Sequence, residues 1–405
     1  MIRPLFRTSV LAAALASAAC TSPVDEPGST VPGQCQADDS LVGPQRTDIL
    51  FLIDNSGSMK EEQAAIAVEL PAFIDELKRE NGLVQDFRVG VITSSVYQRA
   101  IFGDTEQVLS YPTQSGRLQG IPDADGTLRP DADRFLEDED PELVARFGRL
   151  VQQGTSGSGQ EAPFEAVRLA TVDLASTPIA EGGNAEFFRD GARLLVVVVT
   201  DEDDCSSTQR PPPVTLTGDT SHDFCTEQAA KLTSVDEYFR MFNDIDNGRG
   251  GTREVIWAAI APVALADKHP GTFLDESSAP AQVRNVDCPT SYGPGYRHWE
   301  LAKRFNTNLV NLDSICRPSF RQSLIDIAKV ANTSQTLEVM NVPDARLLQV
   351  KLERQDGREQ TCTTINGGVR YEAASGETPA RVFFQGDCVR LPDDKHVSVK
   401  LICAT

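Results

Sequence analysis

The sequence predicts an α/β protein: a doubly wound, mostly parallel sheet covered by helices on both faces, with a small β-rich C-terminal module. Three observations carry that prediction. Continuous apolar runs of strand length recur at DILFLID, FRVGVIT, RLLVVVVT and EVIWAAIAPV, as in strands buried on both faces of a parallel sheet. Segments with helical spacing separate them, the order that winds such a sheet. Beyond Asn332 the helical period gives way to short alternating runs, LLQVKLE, RVFFQG and HVSVKLICA, between turn-rich loops, which read as half-buried strands.

The first strand begins at Thr47. A helix is predicted from Glu61 to Arg79, with Ile66, Leu70, Phe73, Ile74 and Leu77 on one face and Pro71 expected to kink or interrupt it. The second strand covers Phe87 to Thr93, and helical spacing returns at Ala162 to Leu174. Strands follow at Arg193 to Thr200 and Glu254 to Val263, then a helix at His298 to Phe305 and a short strand at Asn308 to Leu312. The last helix runs from Pro318 to Ala331 with proline at its start, where its missing N–H costs nothing. An α/β domain over 47–333 results, with insertions near residues 95–142 and 203–253 and the β-rich module at 334–405.

With 405 residues, 40% of them hydrophobic and 24% charged, the chain has material for a core and for more than one domain. Its 38 basic and 59 acidic residues give a net charge of −21. A field of that sign repels phosphate backbones and anionic headgroups and draws in cations, so nucleic acid is not an expected partner.

Arg3 and Arg7 precede an apolar run from Val10 to Ala19 that is too short to span a bilayer and reads as an export signal over residues 1–20. Ser17-Ala18-Ala19-Cys20 resembles a lipobox, with Ser17 where leucine is usual. It predicts lipidation of Cys20 and a lipoprotein of a bacterial cell envelope, at the outer membrane or cell surface. Cleavage after Ala16-Ser17-Ala18 with a secreted or periplasmic product is the alternative. Residues 21–46, with TSPVDEPGSTVPGQ, read as a flexible tether, and the lipid is the only membrane attachment expected.

Nine cysteines are present, and setting Cys20 aside leaves eight, enough for four disulfides in an oxidising compartment. Cys205 and Cys225 bracket the loop after the most apolar strand, and Cys288 with Cys316 would tie the segments flanking the His298 to Phe305 helix. Two of Cys362, Cys388 and Cys403 are expected to pair within the β-rich end, with Cys35 remaining. No CxxC occurs, and His222 near Cys225 stands alone, which leaves a zinc site without support.

Asp54-Asn55-Ser56-Gly57-Ser58 stands directly after the first strand, where an open α/β sheet presents its ligands. One carboxylate and two hydroxyls at alternating positions suit a hard cation, and Gly57 permits a tight turn between the serines. After the VVVV strand, Asp201 offers a further oxygen from a second strand end. The bland alternative is that Asp54 and Ser58 only cap the next helix. Asp123-Ala124-Asp125-Gly126 and Asp244 to Gly248 lack the ligand spacing of a calcium loop and read as turns.

DxSxS followed by VVVVTDED resembles the von Willebrand factor A family, whose metal-ion-dependent adhesion site combines a DxSxS loop, a threonine from a middle loop and a later aspartate. The resemblance covers roughly Thr47 to Ala331, and it implies a Rossmann-like domain. It also implies Mg2+, or Ca2+ or Mn2+, held by Asp54, Ser56, Ser58 and Asp201. The ion would bind a protein or envelope ligand through an acidic group that completes its coordination. In the middle loop Glu161 stands where the family has threonine, with Thr155 and Ser158 as hydroxyl alternatives. A carboxylate there favours Ca2+ or lessens the need for an acidic ligand.

No HExxH, GxSxG or P-loop pattern occurs. Binding rather than catalysis is therefore expected. A structural envelope protein with a stabilising or vestigial ion site, and a metal-dependent hydrolase, are the alternatives.

Overall fold

The computed structural model describes residues 34–36, 45–79, 84–219, 222–276, 282–285, 287, 291, 293–339, 341–392, 394 and 396–402. The export signal, Cys20, most of the tether, Cys288 and Cys403 lie outside the described residues, and Cys35 is described only in its backbone.

Six strands form the central sheet: β1 (Gln45–Ile53), β2 (Val84–Thr93), β3 (Phe135–Glu137), β4 (Arg193–Val199), β5 (Val255–Ala261) and β6 (Leu312–Ser314). Their order is β6-β5-β4-β1-β2-β3, parallel throughout except for the antiparallel edge strand β3. The apolar runs without alternation are therefore buried strands: Ile49 to Ile53 and Leu194 to Val199 are each at most 1% exposed.

Strand parity divides these side chains between two cores. Ile49, Phe51, Val89, Val91, Leu195 and Val197 face α1 (Lys60–Leu77), α2 (Leu143–Leu150) and α6 (Arg321–Ala331). Leu50, Leu52, Ile92, Val196 and Val198 face α3 (Pro163–Arg168), α4 (Val235–Asn243) and α5 (Tyr296–Phe305). Helices on both faces and the strand order make this a doubly wound α/β domain, as expected.

Four local expectations are corrected. Pro71 lies inside an unbroken helix; its ring is on the exposed side, while Leu70, Phe73, Ile74 and Leu77 stay packed. Asn308 to Leu312 is a turn and not a strand, because Leu309 adopts φ 55° and the Asn306 side chain accepts from the Asn308 amide. The strand starts only at Leu312. Helix α6 begins at Arg321, beyond Pro318, and the helical segment after Pro163 widens into a π-type turn at Leu169–Asp173.

The segment 95–142 carries the hairpin Tyr97–Phe102 with Thr105–Ser110 as well as β3, and 203–253 carries α4. C-terminal to α6, a three-stranded sheet joins Thr336–Glu338, Arg381–Phe384 and Val369–Glu372. A four-stranded sheet joins Gln34–Gln36, His396–Ile402, Leu348–Glu353 and Glu359–Thr363. This β-rich part docks at the amino ends of the parallel strands, where Arg381 donates to the Thr252 carbonyl and the Gln335 amide to Glu254.

Cys205–Cys225 and Cys362–Cys388 are disulfides, and Cys316 is also disulfide-bonded, the pairing expected for it with Cys288 falling outside the described residues. Such bonds mark a protein that folds in an oxidising compartment. Among the described residues no helix is long and apolar enough to cross a membrane.

Candidate metal centre

The chain leaves β1 for β2 on one side and returns to β4 on the other, so the order reverses between β1 and β4. Loops at that reversal diverge and leave a crevice at the carboxyl ends of the strands. Asp54 directly follows β1 and Asp201 follows β4; the Asp54 amide still donates to the Val199 carbonyl at 2.9 Å, which fixes the two ends against each other.

Asp54 is fully buried. Its Oδ1 accepts from the Ser56 amide at 2.8 Å and from Ser94 Oγ at 3.3 Å, and its Oδ2 accepts from Thr200 Oγ1 at 2.6 Å. Ser56 Oγ lies 3.1 Å from Ser58 Oγ, which donates to Asp201 Oδ1 at 3.1 Å. Oxygens of the DxSxS loop and of the second strand end thus form one chain. The capping alternative fails: the N-cap of α1 is Met59, with no side-chain cap bond.

The middle loop is laid against this chain by its own contacts. Gly157 donates its amide to the Asn55 carbonyl at 2.8 Å, and Ser95 Oγ donates to Asn55 Oδ1 at 2.8 Å. A Cβ at Gly157 would come 2.3 Å from Asn55 Oδ1, so only glycine allows the approach. Gln63, on α1, donates to the carbonyls of Asp54 and Gly154 at 2.8 and 2.9 Å and clamps both loops.

Of the three middle-loop candidates, Glu161 is the one brought to Asp54. It is 1% exposed, and both its carboxylate oxygens are buried without a hydrogen-bond partner. Ser158 donates to the Tyr97 carbonyl at 2.8 Å and accepts from the Gln160 amide at 2.9 Å, which turns it into the loop. Thr155 is half-buried and makes no hydrogen bond to the Asp54 chain.

Burial raises all the carboxyls here above their usual range. Asp201 is pushed up to about 8 by burial and by the Asp54 charge, against the Ser58 hydrogen bond. Glu161 rises through burial and the charges of Asp54 and Glu202, and Glu202 through burial and those of Asp201 and Asp54. Burial also raises Asp54, with the Thr200 hydrogen bond opposing it. Among the described residues no lysine or arginine pairs with any of the four. Buried negative charge without a partner is costly, and a bound cation would remove that cost.

Thr200, Ser94 and Glu202 belong to the site although the motif alone does not indicate them. The available signal was position, since each stands within three residues of the end of an apolar strand. Among the described residues no three His, Cys, Asp or Glu side chains converge on one point, so a cation between these loops would take hydroxyl oxygens as well. The donor set, hard oxygens from carboxylates and serines, fits Mg2+, Ca2+ or Mn2+ and not a thiophilic metal.

No family model and no curated protein matches the sequence. Solved structures share a likeness of shape. Proximal thread matrix protein 1 from mussel byssus is 13% identical with a TM-score of 0.32, over 74% of this chain and 50% of that one. A manganese-loaded Plasmodium vivax TRAP protein is 12% identical with a TM-score of 0.31, over 71% of this chain and 73% of that one. The pilus adhesin RrgA from Streptococcus pneumoniae is 12% identical with a TM-score of 0.27, over 91% of this chain and 57% of that one. The chain thus spans only about half the length of the byssus and pilus proteins, and likenesses this distant reach neither a partner nor a site residue.

Proposed function

We propose that this chain is an exported von Willebrand factor A-type binding protein, lipid-anchored through Cys20. In this reading it holds a divalent cation in the crevice between β1 and β4 and uses it to engage a protein or envelope ligand, without catalysing a reaction. Asp54, Ser56, Ser58 and Asp201 would hold the ion, with Glu161 as the middle-loop ligand. When bound, the ion supplies positive charge and a coordination position for an oxygen of the partner.

The observation that carries the proposal is Glu161, a fully buried carboxylate whose oxygens lack hydrogen-bond partners. A group in that state raises the energy of the fold unless something positive meets it. The chain's own part is positional. Thr200 and the Ser56 amide orient Asp54, Ser58 links the loop to Asp201, and Gln63 with Gly157 keeps the middle loop in place.

A second reading, an ion that only stabilises the fold, has its own support in the low exposure of Asp54, Ser56, Glu161 and Asp201, none above 4%. Gly57 and Ser58 are the more open edge, and access would have to occur there. Calorimetry with Ca2+, Mg2+ and Mn2+ on the wild type and Asp54→Ala tests ion binding. A pull-down from envelope extracts with and without EDTA then separates the readings. Partner capture that chelation and Asp54→Ala both abolish supports metal-dependent binding, whereas ion binding that raises thermal stability with no chelator-sensitive partner supports the structural ion.

A further inference from the structure

Beside the Asp54 crevice lies a pocket of about 250 Å3, lined by Glu202, Asp203, Asp219, Asp223, Leu216 and Phe224 among others. It shares Glu202 with the carboxyl cluster just described. Several features set it apart from an ordinary acidic surface. Asp203 is 5% exposed. Asp223 Oδ2 is buried with no hydrogen-bond partner. Gly293 packs so closely that a Cβ there would sit 2.3 Å from that oxygen, with φ at +65°. On the crevice side of Glu202, Glu161 presents its own buried, unpartnered carboxylate.

Among the described residues neither lysine nor arginine lines the pocket, and the basic group that does, His222, is exposed and lies 3.0 Å from Glu227 and 3.5 Å from Asp219. Arg297 spends its guanidinium on Asp204 and the Thr233 carbonyl and gives Asp203 only its backbone amide, while Thr226 Oγ1 donates to the other Asp203 oxygen. The carboxylates ring a cavity and do not meet at a point, which suits an extended cation better than a second metal ion. Leu216 and the Phe224 ring add apolar wall, which an alkyl stem can cover while its charged end meets oxygen. The volume is below the ~300–1,000 Å3 of pockets for drug-sized ligands and suits a single side chain.

We infer that this pocket takes the ammonium or guanidinium end of a lysine or arginine side chain of the partner engaged at the Asp54 crevice, so that the partner surface is basic. The inference rests on the partner-binding reading above and gives it a chemistry. Even with a divalent ion in place, Asp54, Glu161, Asp201 and Glu202 leave an excess of negative charge, which disfavours an acidic group and favours a basic one.

The test is calorimetric titration of the full chain with capped Gly-Lys, Gly-Arg, Gly-Glu and Gly-Ser repeat peptides of equal length, in Ca2+ and in EDTA. The wild type is compared with Asp223→Asn, Glu202→Gln and, as a control outside the pocket, Glu181→Gln. Expected is binding of the lysine or arginine peptide that falls roughly tenfold or more in Asp223→Asn and Glu202→Gln and holds in Glu181→Gln. Equal losses in all three variants, equal affinity for the Gly-Ser peptide, or preference for the Gly-Glu peptide in Ca2+ each overturn it. Titration of Ca2+ alone separates the two ideas. Calcium binding without basic-peptide binding removes this inference and leaves the metal reading. Asp223-dependent basic-peptide binding without calcium binding supports the pocket and removes the metal reading.

Discussion

Thr200 donates its hydroxyl hydrogen bond to Asp54 Oδ2 at 2.6 Å, so that the ends of two neighbouring parallel strands share one buried carboxylate. The bond crosses the reversal point of the sheet. It couples the geometry of the first loop to that of the second.

Thr200→Val keeps the shape and removes that donor. A hydrogen bond to a charged group is worth about 1.5–3 kcal/mol, and urea unfolding in EDTA should show a loss of that size. Calcium titration should show weaker binding from the less ordered Asp54. Unchanged values in both measurements would mean that the bond orders nothing.

Glu161→Gln separates burial cost from ligand value. Without divalent ions the variant should be more stable than wild type by roughly 1–3 kcal/mol, because an amide is cheaper than a carboxylate to bury without partners. With Ca2+ present the order should reverse. A variant less stable in EDTA and equal in calcium affinity would remove Glu161 from the site.

Cys205–Cys225 closes a loop with a sequence separation of 20, and Cys205 is fully buried beside Val214 and Leu232. The double variant Cys205→Ala with Cys225→Ala should lose about 3 kcal/mol, mainly through a less constrained unfolded chain. Proteolysis should then start within 203–225, the segment that carries the wall of the acidic pocket. Cleavage confined to other loops would show that the disulfide does not hold this segment.

His298 is fully buried against Phe164, with ring centroids 5.2 Å apart, and neither ring nitrogen has a hydrogen-bond partner. Burial lowers its pKa to about 4, the Asp204 charge opposing and the Arg297 charge adding to the shift. The sign follows from the unfolded chain, which takes up the proton near 6.5 while the folded chain resists it. The stability that neutral His298 allows is complete above pH 6.5 and is lost as pH falls from there towards 4, on the order of 3 kcal/mol. His298→Leu should flatten urea midpoints across that interval. If the acid slope persists unchanged in the variant, another group carries it.

Much of the fold is legible in the sequence because a strand covered on both faces must be apolar at every position, as at Leu50 to Ile53 and Leu194 to Val199. Asp54 and Asp201 stand out for the same reason, as the first charges after such runs. Local chemistry was less legible. Pro71 is tolerated because packing on one face outweighs one lost hydrogen bond. The Asn308 to Leu312 run is apolar enough for a strand, yet the Asn306 side chain just before it accepts from the Asn308 amide and Leu309 adopts φ 55°, which turns the chain instead.

The sequence by itself determined the kind of sheet, the loop that starts the site and the oxygen chemistry available there, since these follow from burial patterns and residue types along short stretches. Only the tertiary structure decided that Glu161, and neither Thr155 nor Ser158, faces Asp54, that Thr200 and Ser94 complete its hydrogen bonds, and that Glu202 belongs to both the crevice and the acidic pocket. Those relationships join residues about 40 to 150 positions apart. They depend on where loops land after the sheet has closed, and no local pattern encodes that.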